Sequence, residues 1–307
     1  MSELILHQYA ESPFSEKVRL LLGYKGVSYQ SVEIPIIMPR PDLMPLTGGY
    51  RKTPVLQIGA DIYCDSAIIC RVINEMVPEK NIYPEASIAA IETMAYWTDT
   101  FFFKVCVAVA FQPKAAATNP LFQDEEAASA FMADRAEFSK GSTELGMAFE
   151  IAEPHFLAHL NNLDRQLGEG DGFLFGDQPV IADFSTFHNC WFIYTRDVLR
   201  DYFSPFEHLL AWYDRMQGFG HGTVEKIEGS AALSHANSVQ PQELRDTVFL
   251  DNVEPGQQVS VMPIDYGFQP VNGELLSAGL DEIIIARTDD KAGRVLVHFP
   301  RMGFQIT

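Results

Sequence analysis

Ser12-Pro13-Phe14-Ser15-Glu16-Lys17-Val18-Arg19 is the stretch on which the reading of this chain turns. A short apolar run, Leu4-Ile5-Leu6, precedes it. It opens a helical pattern in which Phe14, Val18, Leu21 and Leu22 share one face. A serine followed by proline at such a strand-to-helix junction puts a hydroxyl at a helix N-terminus. The first backbone N–H groups there lack partners and the macrodipole favours negative charge. The position can therefore hold an anion, including a thiolate.

Outward from this junction, residues 3–8 read as a buried strand and 13–24 as a helix stopped by Gly26. Val27 to Ile34 alternates as a second strand, and Pro35 through Pro45 is neither helix nor strand. Pro54 to Ile58 and Asp61 to Tyr63 flank a tight Gly59-Ala60 turn, and helix returns from Ser66 to about Val77. This β-α-β-loop-β-β-α order predicts an α/β thioredoxin-like domain over residues 1–80. Pro78 to Ser87 reads as a linker. Helical periods over about 88–111, 124–140, 143–168, 181–196 and 205–217 predict an all-α domain over 88–235, with Pro154 starting or kinking a helix. From 236 to 307 the pattern turns to β-type runs (247–250, 258–261, 282–287 and 294–299), with a hairpin loop at 289–293. They predict a small mainly-β extension.

The 307 residues carry a formal net charge of −19, which disfavours binding to nucleic acid or to anionic membrane. Cys64, Cys70, Cys106 and Cys190 have neither metal nor redox spacing and read as reduced, mostly buried thiols. No signal peptide precedes the first strand. The most apolar stretch, Phe101 to Phe111, is interrupted by Lys104 and is too short to span a bilayer. A cytoplasmic protein is expected.

Three segments in order now bear on function: residues 9–19, Lys52-Thr53-Pro54-Val55-Leu56, and Tyr63-Cys64-Asp65-Ser66-Ala67-Ile68-Ile69. Together they resemble the glutathione-binding domain of the cytosolic glutathione transferase superfamily, closely over 3–77 and more loosely over 88–235. No resemblance covers 236–307. In serine-type members of tau, phi, theta and zeta class, the activating hydroxyl sits six residues before an apolar residue of the first helix, as Ser12 sits before Val18. The omega class has a cysteine in a similar Cys-Pro-Phe-Ala-Glu-Arg-Thr-Arg context, so serine here implies stabilising a substrate's thiolate. A thiol of pKa about 8.5 is only a few per cent ionised at neutral pH, and lowering it by about two units takes roughly 2.7 kcal/mol. A hydroxyl donor and a helix N-terminus can together supply that. On the residues alone, Ser12 also suffices as a plain helix cap. Ser15 and Tyr9 are rivals as activator: Ser15 lies a turn inside the helix, and Tyr9 ends the first strand.

The resemblance also implies the rest of the glutathione contacts. Thr53-Pro54 corresponds to a residue-plus-cis-proline pair that offers backbone groups to an extended ligand. Lys52 is directed to the glycyl carboxylate, Asp65 to the α-ammonium, and Ser66 to the γ-glutamyl carboxylate; Phe14 completes the set. Because glutathione is anionic, its site must be locally basic, and Lys17, Arg19, Arg51 and Lys52 provide that charge. The resemblance further implies glutathione as co-substrate, a site that needs no metal, and homodimerisation.

Other features read more plainly. His155 and His159 share a helix face but lack the glutamate and third ligand of a zinc site. Gly218-Phe219-Gly220-His221-Gly222 follows a helix and reads as its stop. Gly176 to Asp183 resembles the family's capping segment, with Val180 where a Ser or Thr cap normally stands. Tyr96, Trp97, Phe101, Phe102, Phe103 and Phe111 either pack the core or line an apolar pocket. The expected function is conjugation of the glutathione thiolate to a small hydrophobic electrophile. A glutathione-dependent isomerase or ether-cleaving enzyme, and a non-catalytic binding protein, are the alternatives. The electrophile's pocket is assembled from several helices and loops, so no local motif names it.

Overall fold

The computed structural model describes residues 3–119, 122–244, 247–250 and 253–307. Its first part runs β1 (Leu4–Gln8), α1 (Pro13–Lys25), β2 (Ser28–Glu33), α2 (Met44–Thr47), β3 (Val55–Ile58), β4 (Asp61–Cys64) and α3 (Ser66–Met76). β1 pairs parallel with β2 and antiparallel with β3, and β3 continues antiparallel into β4. This is the thioredoxin-like layout expected.

The helical part follows. α4 (Ile88–Trp97) and α5 (Phe103–Ala110) are joined by a π-helical turn, Thr98–Phe102. Then come α6 (Pro113–Ala116), α7 (Glu125–Phe138), α8 (Phe149–Glu169), α9 (Ile181–Tyr194) and α10 (Glu207–Gln217). α8 starts at Phe149 and carries Pro154 inside it. α9 is buried along almost its whole length, and its start is held without the missing hydroxyl. The Asp183 carboxylate accepts from Val180 N at 2.9 Å, Leu174 N at 3.0 Å and Trp212 Nε1 at 2.8 Å. The Asp183 N–H meanwhile bonds the Val180 carbonyl at 2.8 Å. A backbone acceptor thus does the work of the capping-box hydroxyl.

The remaining elements are β5 (Thr223–Lys226), α11 (Gly229–Ser238), β6 (Gln258–Pro263), β7 (Val271–Ala278), β8 (Glu282–Asp289), β9 (Gly293–Pro300) and β10 (Phe304–Ile306). The mainly-β extension is present, but its strands continue the first sheet. β9 pairs parallel with β4, matching Asp61 to Leu296, Ile62 to Val297 and Tyr63 to His298. The result is one ten-stranded sheet in the order β10-β6-β7-β8-β9-β4-β3-β1-β2-β5. β5, α11, β7 and β10 were not anticipated. β5 is exposed at every position and lacks the alternation that marks a half-buried strand, and α11 is rich in small residues with weak patterning. Of the run at 247–250, only Phe249 bridges, to Ala278.

The pleat sorts side chains between two cores. Leu4 and Leu6 pack with Val18, Leu21 and Ile69 and on into the helical part. Ile5 points the other way, with Val32, Val55 and Ile62, against Ala232 and Leu233 of α11 and Val297 and Phe299 of β9. β9 is buried from Val295 through Pro300, as befits a strand covered on both faces. At the far edge, α1 meets the loop after α10 so closely that a Cβ on Gly23 would lie 2.0 Å from the Gly220 carbonyl oxygen.

Candidate active site

α1 begins where the sequence places it. Ser12 is its N-cap, Pro13 stands in the first turn, and the Ser12 Oγ accepts the Ser15 N–H at 3.2 Å. That bond uses the oxygen as an acceptor and leaves the O–H available as a donor. Ser12 is 2% exposed, yet it faces a large cavity of about 1280 Å³ between the sheet and the helices. Tyr9 lines the same cavity. Burial pushes its phenol up, while Arg135, Arg40 and a hydrogen bond with Ser12 pull it partly back. The two rival hydroxyls line the same cavity. Ser15 is not on the cavity wall, and its buried hydroxyl has no hydrogen-bond partner among the described residues.

The second motif arrives by way of Arg40. Its guanidinium donates to the carbonyls of Pro35 (2.9 Å), Ile36 (2.9 Å) and Arg51 (2.8 Å) and to Thr53 Oγ1 (3.1 Å), tying the proline-rich loop to the turn before β3. Thr53-Pro54 is cis, as the resemblance implied, and Thr53 lines the cavity. Lys52 lines it too, but with its charge engaged. Nζ lies 2.7 and 2.9 Å from the Asp265 carboxylate oxygens and 4.1 Å from the centre of the Tyr266 ring. Both partners come from the loop between β6 and β7.

The third motif caps α3. Asp65 accepts the Ala67 N–H at 2.9 Å and the Tyr50 hydroxyl at 3.4 Å. Its φ of 99° is the only positive value among non-glycine residues described, a conformation costing about 1–3 kcal/mol and typical of ligand-holding positions. Burial raises its carboxyl, offset in part by Lys52, the Ala67 N–H and Lys17. Ser66 opens the helix beside it and also lines the cavity. Phe14 completes this wall, its ring 4.8 Å from Phe103 and 4.6 Å from His188.

The structure thus brings Ser12, Phe14, Lys52, Thr53, Asp65 and Ser66 to one cavity. Pro54, the residue after Thr53, is not on the cavity wall. The basic quartet is paired off: Lys17 with Asp99 at 2.6 Å, Arg19 with Glu16 at 2.7 Å, Arg51 with Asp134 at 2.6 Å, and Lys52 with Asp265. Arg19 is not on the cavity wall. Asp99 sits in the π turn and also accepts from His188 Nε2 at 2.8 Å and Ser185 Oγ at 3.1 Å. Burial opposes its charge, but Lys17 and His188 outweigh that and hold the carboxyl below its usual value.

Sequence reasoning missed Tyr50, Arg40, Asp99, Asp265, Tyr266 and Arg196 on this wall. Asp99 and Arg196 lie within expected helices without any motif. Asp265 belongs to a region with no family resemblance, and nothing local signals a partner 213 residues away. Of the aromatic cluster, Tyr96, Phe103 and Phe111 line the cavity. Phe102 stacks on Phe156 in the core, with Trp97 stacked against it. His159 packs on Trp97 and Phe102, where burial lowers its pKa to about 4. All four cysteines are free and buried, and burial pushes Cys70 and Cys190 up to about 12. Among the described residues no helix is long and apolar enough to cross a membrane.

Comparison with known proteins bears on the family and the fold. The glutathione S-transferase N-terminal-domain profile matches residues 6–81, and the C-terminal-domain profile matches 128–215. A GST-like protein from Pseudomonas syringae superposes over 100% of this chain and 99% of its own, with TM-score 0.83 and 38% identity. The tau-class MiGSTU from mango, Mangifera indica, covers 70% of this chain and 88% of its own at 19% identity, TM-score 0.51. The β-etherase LigF from Sphingobium sp. strain SYK-6 covers 71% and 95%, also at 19% identity and TM-score 0.51. At that identity, each of these two reports the fold alone. Glutathione S-transferase U4 of Arabidopsis thaliana is 31% identical over 74 residues, so the match spans about a third (33%) of that curated relative and 24% of this chain. Both domain profiles occur in order, and a full-length relative shares the whole fold; the chain belongs to the glutathione S-transferase superfamily.

Proposed function

We propose that the protein is a glutathione transferase in which Ser12 stabilises the glutathione thiolate for attack on a small, largely apolar electrophile. One observation carries this reading: Ser12, Thr53, Asp65 and Ser66 converge on one wall of a cavity whose other walls are mainly apolar. The Ser12 hydroxyl donates to sulfur, and the N-terminus of α1 adds its dipole. The thiolate attacks the electrophilic carbon and a C–S bond forms. The leaving group departs with its bonding pair, and the thiol proton has already passed to water. Thr53 pairs with the peptide backbone, the Asp65 carboxylate takes the α-ammonium, and Ser66 with the start of α3 takes the γ-glutamyl carboxylate. Lys52 takes the glycyl carboxylate in competition with Asp265.

Retention on immobilised glutathione, elution by free glutathione and turnover of an aryl halide are the expected results. Absence of glutathione binding would refute the reading.

A further inference from the structure

The cavity continues from the glutathione wall into a chamber formed by Phe103, Val107, Phe111, Phe131 and Phe192, where Arg196 also stands. Nearly every other cation on the cavity wall has its charge answered. Lys17, Arg51, Lys52, Arg71 and Arg135 are paired with Asp99, Asp134, Asp265, Glu92 and Asp134, respectively. Arg40 spends its donors on carbonyls and on Thr53.

Arg196 differs. Its guanidinium donates to the Phe192 carbonyl and lies 4.1 Å over the Phe192 ring and 6.0 Å from the Phe111 ring. It forms no ion pair among the described residues. Its neighbour Asp197 is largely exposed and is paired instead with Arg200 at 2.8 Å. Burial alone moves Arg196, lowering it to about 10, and no carboxylate offsets that shift. A guanidinium remains charged even so, and its planar fork of N–H donors suits a carboxylate bidentately. A partly buried cation among aromatic rings is better compensated once an anion joins it.

We infer that the chamber is a subsite for an aromatic or apolar acid: Arg196 holds the substrate's carboxylate while Phe111 and Phe192 flank its apolar body. This rests on the transferase reading for what the bound acid does next. The binding itself needs no glutathione, so the two fail separately.

The test is direct calorimetric titration with two unreactive probes of one shape, 3,5-dinitrobenzoate and 3,5-dinitrobenzamide. The wild type should bind the acid at least about tenfold tighter than the amide. Arg196→Met should erase the difference, and Arg196→Lys should keep part of it; thermal unfolding of each variant checks the fold. The wild-type comparison decides even if a variant does not fold. Equal binding of acid and amide, binding of neither, or a preference that survives Arg196→Met would overturn the inference. Binding of the acid without aryl-halide turnover would support the subsite and count against the transferase reading.

Discussion

At the scale of single residues, the site is decided by which hydrogen-bonding capacity is left over. Ser12 spends an acceptor on the Ser15 N–H and keeps its proton to donate. Ser12→Ala should therefore raise the pH of thiolate formation by a unit or more, about 1.4 kcal/mol per unit, while glutathione still binds. Ultraviolet titration of bound glutathione reads this, and an unshifted profile would transfer the role to Tyr9. Lys52 is the opposite case, since its charge is answered by Asp265 before any ligand arrives. A ligand carboxylate there meets a like charge. Asp265→Asn should accordingly tighten glutathione binding by about tenfold, measured by calorimetry. Unchanged affinity would mean that the ligand's carboxylate does not reach Lys52. The sequence marked Ser12, Lys52 and Asp65 because each sits in a local motif. It was silent on Asp265 and Arg196, which become informative only through what stands opposite them.

At the scale of elements, the join between β4 and β9 holds the extension to the first sheet. His298 on β9 sits there, 3.1 Å from Asp61 of β4 and 2.6 Å from Glu282 of β8, stacked on Tyr63 at 4.4 Å. Burial opposes its charge, yet the bonds to Asp61 and Glu282 outweigh that and raise its pKa. A histidine raised in the folded state contributes stability that is fully present below its unfolded value, about 6.5, and is lost as pH rises through the folded value. The urea midpoint should thus fall from mildly acidic toward alkaline pH, and His298→Gln should flatten that slope. A slope equal to the wild type's in the variant would place its origin elsewhere. The hairpin of β8 and β9 was legible, because continuous apolar runs flank a turn with Gly293 at φ 72°. Its parallel pairing with β4 was not, since parallel partners share no turn and leave no local signal.

At the scale of the molecule, the sheet has one continuous core on its second face. Ile5, Val55 and Ile62 from the first part pack with Val297, Phe299 and Leu233 from the last. Removal of residues 240–307 should therefore strip β4 of a partner and uncover that core. The expected product is insoluble, or lacks a cooperative thermal transition in circular dichroism. A fragment unfolding as cooperatively as the full chain would show the extension to be a separately folding addition. The same closure shapes the site. The loop carrying Asp265 and Tyr266 is clamped to the helical part through Ser142, whose hydroxyl donates to the Asp265 carbonyl at 2.6 Å, and through the ring contact of Tyr266 with Phe138 at 5.5 Å. Asp265 and Tyr266 thereby join residues of the other two regions in lining the cavity.

The sequence by itself determined the thioredoxin-like order, the helical middle, the β character of the last seventy residues or so, and the three motifs that meet at the cavity. These depend on periodicity, caps and turns, whose physics acts over a few residues. Only the tertiary structure decided that the extension belongs to the first sheet, that Lys52 is already paired, and that Arg196 stands among aromatic rings with no ion pair among the described residues. Strand pairing and charge compensation are made between residues far apart in the chain, and their energies depend on burial that exists only once the chain has folded.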